Sequence, residues 1–151
     1  PGLLAKGGVR AGCRDDIPYC DTLGGTPVAR AGAQAVLEVI EEERLQEHSR
    51  VVGAKRLAEL LTLKEKYECV GDVRGAGLFI GFELVTDKAS KTPNKPLALD
   101  VTEMLRDNHV LTSVAGPYGN VLKLRPPLAF QESDIDWLVG ALDKSLAALT
   151  R

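Results

Sequence analysis

The spacing of apolar residues changes near residue 70, and this change constrains the possible fold more than any other feature. Over residues 27–67, apolar side chains recur every three or four positions, which is the period of amphipathic helices. The next stretch, "VGDVRGAGLFIGFELV" (70–85), contains four glycines and a dense apolar run from Leu78 onward, which is typical of a strand. A chain with both periods must pack helices against a sheet.

The remaining segments extend this pattern in the order helix, helix, strand, helix, strand, strand, helix. We expect helices over 27–42, 44–67, 97–108 and 132–149, and strands over 75–85, 110–114 and 121–126. The turn "AGPYGN" between the last two strands predicts a hairpin, and Gly81 predicts a bulge or a close backbone contact. The sequence therefore predicts an α+β fold, with a small, mostly antiparallel sheet and helices packed on one face.

Charge and cysteine content narrow the function classes. The 151 residues carry a formal net charge of -2, which favours neither nucleic acid nor an anionic membrane as a partner. No apolar run is long enough to span a bilayer. The three cysteines form no C-x-x-C pair, so we expect neither a disulfide framework nor a metal site. A reducing, cytoplasmic compartment fits this composition best.

The start of the first helix has the composition of an anion-binding turn. In "DTLGGTPVARAG" (21–32), Thr26 is placed to cap the helix and Pro27 to occupy its first position. Backbone N–H groups at a helix N-terminus attract anions, and glycines let the backbone approach them closely. The hydroxyl of Thr22 and the pair Gly24 and Gly25 are therefore candidates for holding a phosphate.

Three motifs resemble one enzyme family when they are taken in order. "TLGGTPVA", "VRGAGLFIGFELV" and "NVLKLRPPLAF" are similar to the C-terminal part of class III pyridoxal-phosphate (PLP) aminotransferases, over roughly residues 16–150. The branch resembled is that of the alanine–glyoxylate aminotransferase-2-like proteins, which includes phospholyases of phosphorylated amines. The resemblance implies PLP-dependent transferase fold type I. It assigns 1–26 to a remnant of the large PLP-binding domain, 27–66 to linking helices, and 67–151 to a small C-terminal α+β domain.

The resemblance also implies roles for the candidate residues. Thr22 would bond the phosphate of the PLP held by the neighbouring subunit of a homodimer, beside Gly24 and Gly25. Lys123 stands where many family members place an arginine that binds the substrate carboxylate, and Arg125 follows on the same strand face. Both are candidate substrate-binding residues. A guanidinium binds a carboxylate through two parallel bonds whereas an ammonium is a point charge, so Lys123 favours the phospholyase alternative.

The reactive lysine of the family has no counterpart in this sequence. Lys6 lies too close to Thr22, and no Asp-Glu strand precedes it, so we assign no catalytic residue and expect the chain to be inactive alone. Three hypotheses follow. The chain is a fragment of an aminotransferase that moves an amino group from an amine or amino acid to a keto acid, a fragment of a phospholyase, or a non-catalytic dimerisation or binding domain. A lone fragment would expose apolar surface and self-associate.

Overall fold

A computed structural model describes residues 25–150, and contacts divide the chain into two units between Arg44 and Leu45. The described part of the first unit contains helix α1. The described part of the second unit, residues 45–150, contains three helices and four strands. In chain order, the elements are α1 (Pro27–Glu42), α2 (Leu45–Lys66), β1 (Val70–Ala76), β2 (Phe79–Leu84), α3 (Lys95–Asp107), β3 (Val114–Ala115), β4 (Val121–Leu124) and α4 (Glu132–Leu149).

Helix α1 begins where its capping residues predict. The Oγ1 of Thr26 accepts a hydrogen bond from the backbone N–H of Ala29 at 3.4 Å, and Pro27, which has no N–H, leaves no donor unsatisfied at the first helical position. None of the sixteen residues of α1 is buried. The helix therefore gains its order from local capping and propensity more than from the core of the described chain.

The sheet is antiparallel throughout, in the order β1–β2–β4–β3. The single strand predicted over 75–85 is wrong, because the chain reverses within it and forms the hairpin β1–β2. Gly77 has φ +53°, a conformation that side-chain-bearing residues rarely adopt, and this allows the reversal. The register of β1 shifts between Val70 and Asp72, so the bulge lies there. Gly81 instead shows the alternative prediction, a close contact, because a Cβ added there would lie 3.2 Å from the Cγ1 of Val121.

The predicted hairpin between the last two strands is confirmed, although both strands are shorter than expected. β3 and β4 pair antiparallel, and Gly116 and Gly119 supply the left-handed conformations of the turn between them. Strand β4 ends at Leu124 because the prolines that follow soon after, Pro126 and Pro127, cannot donate to a ladder.

The core lies on one face of this sheet, which confirms the predicted α+β arrangement. Alternate residues of β2 and β4 are buried, and side chains from α2, α3 and α4 pack over them. The buried sheet residues are Val70, Val73, Ile80, Phe82, Leu84, Leu122 and Leu124, and the helical ones include Leu60, Leu63, Leu97, Ala98, Val101, Leu105, Leu138, Leu142 and Leu146. The intervening residues of the strands, such as Glu83 and Lys123, face away from this core.

Candidate functional site

A cleft of about 410 Å³ opens beside the end of β4. Both substrate-binding candidates from the sequence, Lys123 and Arg125, lie in its wall. The other lining residues come from α2, from the segment before β3, from the end of β4 and the loop after it, and from α4: Arg56, His109, Val110, Leu111, Thr112, Leu124, Pro126, Pro127, Phe130, Asp134, Trp137 and Leu138.

The main chain of Lys123 is bonded on both sides to the segment that precedes β3. Its N–H donates to the carbonyl of Ser113 at 2.8 Å, and its carbonyl accepts from the Oγ1 of Thr112 at 3.1 Å. The neighbours Leu122 and Leu124 point into the core, so the half-buried Lys123 side chain points to the opposite side of the strand. The core thus sets the direction of this ammonium.

The charges in the cleft favour an anionic ligand. Among residues 25–150, neither Lys123 nor the exposed Arg125 forms an ion pair. Asp134 is the acidic residue of the wall, and its Oδ2 accepts from the backbone N–H of Gln131 at 2.8 Å, which caps α4. Cations without an acidic partner, set in a partly apolar wall, attract negatively charged groups.

Arg56 is a functional candidate that the sequence interpretation missed. It is 0% exposed, and its Nη2 donates to the carbonyl of Leu78 at 2.7 Å and, over a longer 3.5 Å, to the carbonyl of Leu124. Its Nε and Nη1 have no hydrogen-bond partner within the described part of the chain. Burial lowers the pKa of Arg56 to about 10, so it stays protonated at neutral pH. Arg56 lies four residues after buried Val52 and four residues before buried Leu60, and this spacing was the signal in the sequence that its side chain shares their buried helix face.

Aromatic groups complete the cleft. The ring centroid of Phe130 lies 5.4 Å from the guanidinium carbon of Arg56, within cation–π range. The carbonyl of Phe130 lies 2.9 Å from His48 Nε2, which ties the loop before α4 to α2. Trp137 is 60% exposed, and its Nε1 donates to the carbonyl of Asn108 at 3.2 Å. The cleft therefore combines apolar and aromatic groups with cationic ones.

The predicted phosphate turn is only partly visible. Thr22 and Gly24 lie outside the described residues. Gly25 has φ +86°, and a Cβ added there would have no atom within 4 Å. The first turn of α1 carries no acidic residue. Helix N-termini attract anions, and the phosphate-binding role of Gly25 stays a prediction. Gly25 belongs to the first unit, whereas Lys123 and Arg125 belong to the second.

Residues 25–150 contain no group of three or more His, Cys, Asp or Glu side chains arranged to hold a metal ion. None of their helices has the length and apolar character needed to cross a membrane.

Curated relatives match most of this chain with a small part of their own length. It is 41% identical over 137 residues to ethanolamine-phosphate phospho-lyase homolog 1 of Caenorhabditis elegans, an alignment that covers 90% of the chain and 29% of the relative. It is 43% identical over 131 residues to alanine–glyoxylate aminotransferase 2 homolog 2, mitochondrial, of Arabidopsis thaliana, covering 87% of the chain and 28% of the relative. The chain thus spans less than a third of either protein.

Solved structures give the same result. A phospholyase from Arthrobacter in complex with phosphoethanolamine matches with a TM-score of 0.82 and 37% identity, over 87% of this chain and 31% of that one. An amine transaminase from an uncultivated Pseudomonas species, in a PLP-bound form, matches with a TM-score of 0.79 and 36% identity, over 88% of this chain and 30% of that one.

A family model agrees with these neighbours in sequence and in fold. The model described as aminotransferase class III matches residues 11–146, which is most of the chain and includes both the helix start at Thr26 and the cleft at Lys123. The cofactor of this family is pyridoxal phosphate. The chain therefore belongs to the class III aminotransferase family, as the resemblance of its three motifs predicted.

Proposed function

We propose that the chain supplies the C-terminal part of a PLP-dependent aminotransferase that moves an amino group from an amine or amino acid to a keto acid. The observation that carries this proposal is the cleft in which Lys123 and Arg125 lie without acidic partners among the described residues, in a chain of this family. Both donor and acceptor of such a reaction are small molecules, and the keto acid carries a carboxylate.

Each part of the chain has a role in this proposal. Residues 1–26 belong to the edge of a large PLP-binding domain, 27–66 form linking helices, and 67–151 form the small C-terminal domain. The protein acts as a homodimer in the cytoplasm. Thr22, with Gly24 and Gly25, holds the phosphate of the partner subunit's PLP, and the lysine that bonds covalently to PLP comes from outside these 151 residues.

The chain's own side chains would bind and orient the reactants. PLP, when bound, supplies an electron sink that labilises bonds at the carbon bearing the amine. Lys123 Nζ and the Arg125 guanidinium would bind the anionic group of the substrate and so orient its amine. Phe130 and Pro127 would exclude water from one side, which strengthens the attraction between these cations and the substrate.

A phospholyase acting on phosphorylated amines is the second candidate, and Lys123 favours it. An ammonium on a strand face can approach a phosphate as a point charge, whereas a guanidinium in its place would match the planar geometry of a carboxylate. The similarity to a phospholyase in complex with phosphoethanolamine and to ethanolamine-phosphate phospho-lyase homolog 1 supports this candidate. Both reactions share the same cofactor and the same requirement for an anion site.

The deciding experiment uses the full-length gene product with PLP. Amino transfer is measured from alanine to glyoxylate, and phosphate release is measured from phosphoethanolamine. Keto-acid-dependent transfer without phosphate release supports the aminotransferase, and phosphate release without a keto acid supports the phospholyase. If neither activity appears and no PLP absorbance is seen, the chain belongs to a non-catalytic module and both candidates are wrong.

Variants connect the activity to the cleft. Lys123→Met and Arg125→Met should each raise KM for the anionic substrate about tenfold, the equivalent of one charge-assisted hydrogen bond. Lys95→Met is the matched control, because Lys95 is exposed and lies outside the wall of the cleft. An unchanged KM in both cleft variants would remove this site from substrate binding.

A further inference from the structure

Arg56 is a buried charge that the proposed reaction does not yet use. A guanidinium that is 0% exposed should be fully hydrogen-bonded, because burying an unpaired donor is costly. Two of its nitrogens, Nε and Nη1, have no partner among residues 25–150, and none of the carboxylates described there pairs with it. Stability alone therefore gives a poor reason for an arginine at this position of α2.

The bonds that Arg56 does make join two separate segments. Its Nη2 lies 2.7 Å from the carbonyl of Leu78, in the turn between β1 and β2, and 3.5 Å from the carbonyl of Leu124, the last residue of β4. Leu124 stands directly between Lys123 and Arg125. One nitrogen thus connects the β1–β2 turn to Leu124, the residue that lies between the two cleft cations, Lys123 and Arg125.

Each of the two segments that Arg56 Nη2 joins is also held by another hydrogen bond. The N–H of Leu78 lies 3.3 Å from the Oγ of Ser49, one turn before Gly53 on the same helix as Arg56. The carbonyl of Lys123 accepts from Thr112. The end of β4 is therefore held by Thr112 from one side and by Arg56 from the other, where the ladder stops before Pro126.

We propose that Arg56 is a positioning residue, which holds the end of β4 so that Lys123 and Arg125 face the anionic group of the substrate. The role presupposes the proposed function of the cleft, since without an anionic substrate the two cations need no fixed direction. Arg56 acts through Leu124, because its side chain is 0% exposed and its guanidinium carbon lies 5.4 Å from the centroid of the Phe130 ring.

The test is Arg56→Met in the full-length gene product with PLP. Methionine fills a similar length without the donors. KM for phosphoethanolamine or for alanine, whichever donor is active, should rise about fivefold or more, with kcat changed less than twofold. KM for 1-phenylethylamine, an amine without an anionic group, should stay unchanged. The midpoint of urea unfolding should stay the same or rise, because an incompletely bonded buried charge is replaced by an apolar side chain.

Two further variants separate a positioning role from a structural one. Arg50→Met is the matched control: Arg50 lies on the same helix, is exposed and pairs with Glu47, so it should change none of these quantities. Arg56→Lys keeps one donor for the Leu78 carbonyl and should recover part of the lost affinity for the anionic donor. Equal KM changes for the anionic donor and for 1-phenylethylamine, or no change in either, would overturn the positioning role.

The outcomes also separate this role from the proposed function. If Lys123→Met and Arg125→Met raise KM for the anionic donor and Arg56→Met does not, only the role of Arg56 is wrong. If none of the three raises it, the cleft is not the substrate site. Should Arg56→Met fail to fold, Arg56→Lys decides alone: a KM for the anionic donor equal to that of the unaltered protein refutes the role, and an increase confined to that donor supports it.

Discussion

Gly53 of α2 packs so closely against the backbone of Gly77, in the β1–β2 turn, that Gly53 has no room for a side chain. A Cβ added to Gly53 would lie 2.2 Å from the carbonyl oxygen of Gly77, and one added to Gly77 would lie 2.7 Å from the Oγ of Ser49. This contact brings the turn within reach of Arg56, one helical turn further along α2. It is therefore the geometric basis of the bridge between the turn and β4.

Substitution Gly53→Ala should destabilise the second unit, although alanine favours helices. The backbone of the turn must move by more than half an ångström to admit the methyl group, and such overpacking costs about 1–3 kcal/mol. Gly140→Ala in α4 is the control, since a Cβ there meets nothing within 4 Å and should add up to about 1 kcal/mol of stability. The free energy of unfolding of both variants is measured with urea. A Gly53→Ala protein as stable as Gly140→Ala would contradict the close approach.

Asn120→Ala should loosen the turn before β4. Asn120 is 1% exposed, and its side-chain Nδ2 donates to the backbone carbonyl of Leu84 at 2.8 Å. The backbone carbonyl of Asn120 accepts in turn from the backbone N–H of Leu84. Losing the buried side-chain bond should lower the free energy of unfolding by about 1–2 kcal/mol. The amide proton of Leu84 should also exchange faster in native-state hydrogen exchange. Unchanged exchange at Leu84 would show that the bond does not hold the strand there.

Asp143 should contribute stability that is lost in acid. A hydrogen bond from Lys66, which has the larger effect, and one from Tyr67 lower the pKa of Asp143 below its usual value. A carboxyl whose pKa is lower in the folded than in the unfolded state stabilises the fold above the unfolded value of about 3.9, and loses this effect as the pH falls through the folded value. Because the side chain is partly exposed, the effect should stay below about 1 kcal/mol.

The measurement compares Asp143→Asn with the unaltered chain by urea unfolding from pH 7 to pH 2.5. The stability difference should be largest at neutral pH and should shrink towards zero in acid. Asp100→Asn serves as control, since Asp100 is exposed on α3 and forms no ion pair within residues 25–150. A difference that stays constant across the pH range would show that the carboxylate charge is not involved.

The 151-residue chain, taken alone, should self-associate through α1. Val28 is 83% exposed, Val36 is 59% exposed and Val39 is 44% exposed, and these residues share one stripe of the helix. Val36→Lys combined with Val39→Lys should lower the apparent mass in light scattering, whereas Gln34→Lys, on another face, should not. A monomer at high concentration without any substitution would refute this expectation.

Local signals in the sequence were sufficient for α1 and α4, whose predicted bounds, 27–42 and 132–149, agree with the structure. Thr26 and Pro27 determine where α1 starts, because capping depends on residues within one turn. The family motifs likewise sufficed for the fold class and for the family, and they pointed to Lys123, which the structure places in a cleft.

Tertiary structure alone decided the hairpin at Gly77 and the burial of Arg56. The run 75–85 has the local composition of one continuous strand, and it is divided because Gly77 packs on Gly53, 24 residues earlier in the chain. Arg56 matches the helical period of the buried face of α2. Arginine is seldom fully buried, however, so the residue type indicated an exposed side chain. Both features depend on contacts between segments that are distant in sequence. Such contacts stabilise strand pairing and buried hydrogen bonds, and a local sequence pattern does not contain them.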